Sequence, residues 1–311
     1  MNKRNLALLT IFLTYFLIVF GGYVASSNSG MGCGPEWPMC NGEIIPSLKG
    51  ATLIEYLHRV IGALLGILSL QLFFRILRSK LDFTARIVSF TMLGLLTFQV
   101  LLGAVVVVRD LPSIIITIHL LIAMLFMGCL IWIWRYPYLD GAQQSYQVRH
   151  RSQKSIIFHL NISLGLILVT LGYGAYIKHE NYGLACGWLG CRQSFFPGTT
   201  PEVLQSFHRG LAVVTALYLL VVTYYAFSKS WGKALRRRML LCTFTVLMQL
   251  VIGVMVIVTK LDLPWAVFHL AIATALFAFV TEARVYAGNL EVKAGPKYPQ
   301  KVGEHGRRSS F

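Results

Sequence analysis

Five histidines lie inside apolar runs of this sequence, and four of them fall into two couples, His58 with His119 and His208 with His269, each spaced by 61 residues. An ionisable side chain within a membrane span is costly and marks a functional site by default. A couple that recurs with its spacing intact asks for one chemistry used twice. Two imidazoles on facing helices suit axial ligation of haem iron, and apolar walls suit a porphyrin. Zinc also accepts imidazole, but two histidines leave it short of ligands, and no carboxylate is shared by the two couples. The remaining alternative is polar glue between helices. Recurrence favours the ligand role. His159 has no counterpart and reads as structural, while His150, His179 and His305 fall in loops or tail.

The neighbours of these histidines differ between the copies. Arg59 and Arg209 directly follow His58 and His208. A guanidinium fork there suits haem propionates, and the alternative is a side chain that merely reaches the interface. Glu55 precedes His58 by three residues, on the same helical face, whereas the second copy has Gln205. A carboxylate can exchange a proton or stabilise a cation; an amide does neither. The first copy is thus equipped for chemistry and the second for holding a group.

The elements that carry these residues are membrane helices. The chain has 311 residues, 56% hydrophobic and 13% charged, too few charges to solvate a globule of this size. Eight runs are long enough to span a bilayer: Leu6 to Val24, Leu53 to Leu77, Ile87 to Val108, Ile114 to Trp134, Ile156 to Ile177, Val203 to Phe227, Met239 to Thr259 and Trp265 to Ala287. The net charge of +16 is distributed by loop, with 21 Lys and Arg on one side of these spans and seven on the other. That bias predicts a multi-pass plasma-membrane protein with both termini cytoplasmic, and it speaks against nucleic-acid binding. The first run could pass for a secretory signal, but its internal counterpart, Ile156 to Ile177, argues for a true span.

The halves overlay. Gly21 to Cys33 lies on Gly174 to Cys186 at an offset of 153, and Ser89 to Val108 lies on Met239 to Val258 at 150, pairing Gln99 with Gln249 and Gly103 with Gly253. Four spans per copy give both copies the same orientation, so the expected axis runs along the membrane normal. The predicted fold is all-α: two pseudo-symmetric four-helix bundles, residues 1–140 and 141–287, with a disordered cytoplasmic tail at 288–311. All four imidazoles then sit at one level, roughly 8 Å in from the outer surface. Each half also has an outer cysteine pair, Cys33 with Cys40 and Cys186 with Cys191. The oxidising side suits disulfides; the spacing would also suit a metal, although neither loop supplies a second C-x-x-C pair.

The stretches Gly21 to Cys40, Ile54 to Arg59 and Gln99 to His119, with their degenerate second copies at Leu184 to Cys186, Phe207 to Arg209 and Phe268 to Leu270, resemble the haem A synthase family of the bacterial type with cysteines in its outer loops. The resemblance implies oxidation of the C8 methyl of haem O to a formyl group through a hydroxymethyl intermediate. It implies substrate haem near His58 and His119, a resident haem b on His208 and His269, and a functional role for Glu55. It also implies a Cys33–Cys40 disulfide that takes part in electron delivery. Expected partners are haem O, a haem O synthase that passes it on, membrane lipid, and a quinol or thiol-redox protein as electron donor. The second loop departs from the family, with four residues between Cys186 and Cys191. The main competing class is a quinol-oxidising diheme b-type electron-transfer protein with two permanent haems. A transporter is a third, disfavoured by the scarcity of polar residues at mid-span.

Overall fold

A computed structural model describes residues 2–79, 82–136, 147–187, 190–191 and 197–293. Among the described residues there are eight helices: α1 Lys3–Ser26, α2 Gly50–Leu77, α3 Phe83–Val108, α4 Ser113–Arg135, α5 His150–His179, α6 Thr200–Ser228, α7 Lys233–Val258 and α8 Leu263–Gly288. Each is long and apolar enough to cross a membrane. With no water inside a bilayer, hydroxyls must be satisfied locally. Thr10, Thr14, Ser69, Ser89, Thr215 and Thr245 accordingly donate to the carbonyl four residues back.

The first four helices pack in a ring, α1 on α2, α2 on α3, α3 on α4 and α4 back on α1; α5 to α8 do the same. In each ring the second and fourth helices stand on opposite sides. The rings meet where α1 packs on α8, α4 on α5 and α4 on α8. There lies the larger core, including Met124, Met127, Ile131, Leu160, Leu219, Leu276, Phe277 and Val280. Apolar side chains such as Phe74, Phe90, Leu101, Tyr224, Phe244 and Val251 stay exposed on α2, α3, α6 and α7, a surface suited to lipid.

Polar contacts tie the rings at both ends. Lys178 of α5 donates to the Gly22 carbonyl at 3.5 Å and to Ser26 Oγ on α1. At the opposite end Glu282 of α8 pairs with Arg135 of α4 and with Arg238 of α7, the latter at 2.8 Å. His159 donates or accepts at 2.9 Å with Tyr218 Oη, joining α5 to α6 in the structural role its isolation suggests.

The connections between α3 and α4 and between α7 and α8 are short turns in which Asp110, Leu111, Lys260 and Leu261 take φ between 54° and 66°. A leucine at positive φ is uncommon and persists only where its surroundings hold it. Both are held, Leu111 against Gly30 and Leu261 against Gly183. The turns thereby brace the two long loops at the same end. One difference from the sequence reading lies at the C-terminal side. Glu291–Lys293 (β2) pairs in parallel with Gln147–Arg149 (β1), with Val148 opposite Val292, inside what the sequence predicts as tail. The boundary expected at 140 and the rest of that tail lie outside the described residues.

Candidate functional site

Each loop at this end is closed by a disulfide, Cys33 with Cys40 and Cys186 with Cys191. The metal alternative for these cysteines therefore falls away. The loops are anchored to the next helix by matched residues. Glu55 on α2 is buried and its Oε2 accepts the Cys33 N–H at 2.8 Å; Gln205 on α6 is buried and its Oε1 accepts the Cys186 N–H at 2.5 Å. Beyond that the two side chains must differ. The amide of Gln205 also donates to the Gly183 carbonyl, which a carboxylate could not do. Glu55 Oε1 instead accepts from Arg59 Nη2 at 2.5 Å and Nε at 3.2 Å, and Arg59 Nη1 reaches the Met39 carbonyl at 2.9 Å. Arg209, with no acid beside it, donates to the carbonyls of Gly187 at 2.8 Å and Cys186 at 3.3 Å. Both arginines are thus loop tethers. Glu55 and Gln205 share one structural task, holding the loop cysteine's N–H, and differ in charge and in their second partner, Arg59 for Glu55 and the Gly183 carbonyl for Gln205.

Next along α2, α4, α6 and α8 come the four histidines, all near the disulfide end. Within each couple the two histidines stand on the second and fourth helices of one ring, His58 on α2 with His119 on α4 and His208 on α6 with His269 on α8. Each ring rests on a glycine of the preceding helix: His58 on Gly21, His119 on Gly103, His208 on Gly174 and His269 on Gly253. A Cβ at those positions would stand 3.1, 3.2, 2.8 and 3.1 Å from the imidazole Cε1 respectively. All four approaches are through the Cε1 edge of the imidazole, and the one at Gly174 is too close for a side chain without a shift.

The Nδ1 atoms of His58, His119, His208 and His269 are buried with no hydrogen-bond partner, and so is Oε1 of Gln99 on α3 and of Gln249 on α7. Native folds pair such atoms, so a concentration of them in two matched places marks a site for a group from outside. Gln249 Nε2–H donates at 3.2 Å to His269 Nε2, the lone pair that a metal would take. The donor set at each couple is two imidazoles. Among the described residues no group of three or more His, Cys, Asp and Glu side chains gathers as a metal cage. Two facing imidazoles, apolar walls and unsatisfied polar atoms fit a planar metal-bearing ligand such as haem.

Two features escaped the sequence reading. Gln99 and Gln249 were legible only as repeat markers, since the pattern does not tell which way an amide points. Glu282 carried a signal, because among twelve acids only Glu55 and Glu282 lie within the apolar runs.

Comparison with known proteins covers almost the whole chain. Residues 4–52 and 47–281 match the COX15-CtaA family, described as cytochrome oxidase assembly protein. Proteins called heme A synthase are similar: one from an Exiguobacterium species is 28% identical over 292 residues, covering 91% of this chain and 94% of that protein. One from Bacillus licheniformis is 27% identical over 299 residues, covering 90% and 95%. One from Halalkalibacterium halodurans is 29% identical over 268 residues, covering 84% and 89%. Eight apolar helices, the matched histidine couples and a match running from the first helix to the last agree: the chain belongs to the COX15-CtaA family of cytochrome oxidase assembly proteins.

Proposed function

We propose that this chain is a haem A synthase, oxidising the C8 methyl of haem O to a formyl group by way of the hydroxymethyl compound. The observation that carries the reading is the pair of imidazole sites, alike in their glycine supports and unpaired Nδ1 atoms, of which only the first has a carboxylate beside it. Substrate haem O lies between α2 and α4, its iron on His58 and His119. His208 and His269 would hold a resident haem b between α6 and α8, which supplies one-electron transfer when bound. The two rings are then a parallel tandem repeat with one working site each, residues 1–140 for substrate and 141–287 for the resident group.

The residues have separate tasks. Gly21 and Gly103 let the His58 and His119 rings sit close to α1 and α3 and so set how far the substrate can approach those helices. Glu55, buried and held by Arg59, presents a carboxylate at the His58 end of the site, where it takes a proton released as the methyl carbon is oxidised or stabilises positive charge there. Arg59 and Arg209 keep guanidinium hydrogens beyond those used on the loops, and these meet haem propionates. The helix walls exclude water, which strengthens each of these interactions. The excess of Lys and Arg at the opposite end supports a reading in which the disulfide end lies outside the plasma membrane, both termini lie in the cytoplasm and a thiol-redox protein reaches the Cys33–Cys40 disulfide. A quinol is the alternative electron donor, and a haem O synthase hands over the substrate within the lipid.

The test is expression of the full chain in cells supplied with haem O, followed by extraction and chromatography of the haems. Haem A should appear, and His58→Ala should abolish it. Membranes containing the folded protein and haem O but forming neither hydroxymethyl haem nor haem A would overturn the proposal.

A further inference from the structure

In the substrate ring, Gln99 lies four residues before Gly103 on α3, so the two share a face, and Gly103 touches the ring of His119. Gln99 therefore lies on the face of α3 that meets His119, one turn further from the disulfide end than Gly103. Its Oε1 is buried without a partner. The matched Gln249 also has an unpaired Oε1, but its Nε2–H is engaged by His269 Nε2 at 3.2 Å, whereas no hydrogen bond ties Gln99 to His119 among the described residues. Both rings thus keep an amide oxygen to offer; in the second the amide nitrogen is tied to the histidine, while among the described residues no such bond holds the amide of the substrate ring.

We propose that Gln99 is a positioning residue that accepts a hydrogen bond from the hydroxyl of the half-oxidised substrate, holding the hydroxymethyl haem in place for its second oxidation. The inference rests on the haem A synthase reading and extends it to a residue outside the histidine couples. A methyl group offers nothing to an amide oxygen, so haem O leaves Gln99 unsatisfied. The first oxidation creates an O–H donor, and pairing it removes the cost of a buried lone acceptor as well as adding a bond. At the carbon being oxidised, haem O thus makes apolar contact alone, while the intermediate gains one directional contact that resists its escape. The formyl product again has no O–H, so the contact ends with the second step. No bond is made or broken by Gln99, and no proton leaves it.

Substitution by leucine removes the amide without emptying the space and relieves the unpaired acceptor, so Gln99→Leu should fold. Retention of haem in the second ring reports that it has. In cells supplied with haem O, Gln99→Leu should raise the extracted ratio of hydroxymethyl haem to haem A by roughly threefold to tenfold, the loss of one neutral hydrogen bond. Val100→Leu, on the exposed side of the same helix, should leave that ratio at the wild-type value. An equilibrium readout stands beside it. Optical titration of haem-depleted protein should show wild type binding hydroxymethyl haem tighter than haem O by a similar factor, and Gln99→Leu should erase that preference. If the folded variant keeps both the wild-type product ratio and the wild-type preference, the inference fails while the enzyme assignment stands. If wild type makes no oxidised haem at all, the assignment itself fails.

Discussion

Replacing Gly174 with alanine should strip haem from the second ring. The new Cβ would lie 2.8 Å from His208 Cε1, 3.3 Å from its Nε2 and 3.4 Å from its Nδ1. Non-bonded carbons rest at about 3.5–4.0 Å, so the ring must retreat by roughly 0.7 Å or more. A metal–ligand distance tolerates about 0.2 Å. Overpacking of this kind costs about 1–3 kcal/mol, which is about ten- to a hundredfold in haem affinity. The matched contacts at Gly21, Gly253 and Gly103, at 3.1 to 3.2 Å, ask the ring to give only a few tenths of an ångström, so alanine there should do less. Gly210 supplies the control. It lies two residues from His208 on the same helix with nothing within 4 Å of its would-be Cβ, and alanine there should add helix propensity of about 1 kcal/mol without moving the ring. The assay is haem per purified protein, with the low-spin signal of bis-imidazole iron read by electron paramagnetic resonance. Full haem content and an unshifted signal in Gly174→Ala would refute the steric argument; equal loss in Gly210→Ala would show that the effect is not local.

Two further substitutions probe the ion pairs. Glu282→Gln leaves Arg135 and Arg238 without their counter-charge at the junction of the rings, where the three side chains are 17–21% exposed. It should lower thermal stability in detergent by about 2 kcal/mol, less than full burial would give, and an unchanged melting temperature would mean that the cluster is solvated in practice. Glu55→Gln keeps an oxygen to accept the Cys33 N–H, as Gln205 does for Cys186, but removes the charge. Haem oxidation should fall by about 10²–10³-fold with the loop still in place, measured as resistance of the Cys33–Cys40 disulfide to mild reductant. Wild-type conversion would take Glu55 out of the chemistry and leave it the anchoring role alone.

How much of this was legible beforehand follows from what each feature depends on. The eight spans rest on continuous apolar runs, and the helices extend each run by only a few residues, as Leu6 to Val24 becomes Lys3–Ser26. The histidine couples rest on spacing, which a repeat preserves. What the sequence could not supply is direction. Glu55 three residues before His58 reads as a partner for the imidazole, yet its carboxylate turns to the Cys33 N–H and to Arg59. The reason is local. The loop is tied to α2 through the Cys33 N–H, and a buried carboxylate in the second turn of that helix is a strong acceptor for it. The same need turned Arg59 and Arg209 toward loop carbonyls. Periodicity assigns a residue to a face, and competition for unsatisfied backbone decides where its polar end goes.

That competition makes a reciprocal experiment informative. Gln205 uses both ends of its amide, accepting from Cys186 N–H and donating to the Gly183 carbonyl, and it is 3% exposed. Gln205→Glu keeps the first bond and forfeits the second, because an ionised carboxylate has no hydrogen to give. The Gly183 carbonyl is then a buried acceptor without a donor, a cost of about 1–3 kcal/mol. Arg209 could turn to meet the new charge as Arg59 meets Glu55, but only by releasing the carbonyls of Cys186 and Gly187. Either way the second loop loosens, and amide hydrogen exchange at Cys186 and Gly187 should accelerate relative to wild type. No oxidising activity should appear in the second ring, because an acid beside the histidine is not enough without an arginine free to hold it. Wild-type stability and protection in Gln205→Glu would mean that the amide is replaceable. The Glu–Gln difference between the rings would then reflect chemistry alone, with no part in how each loop is held.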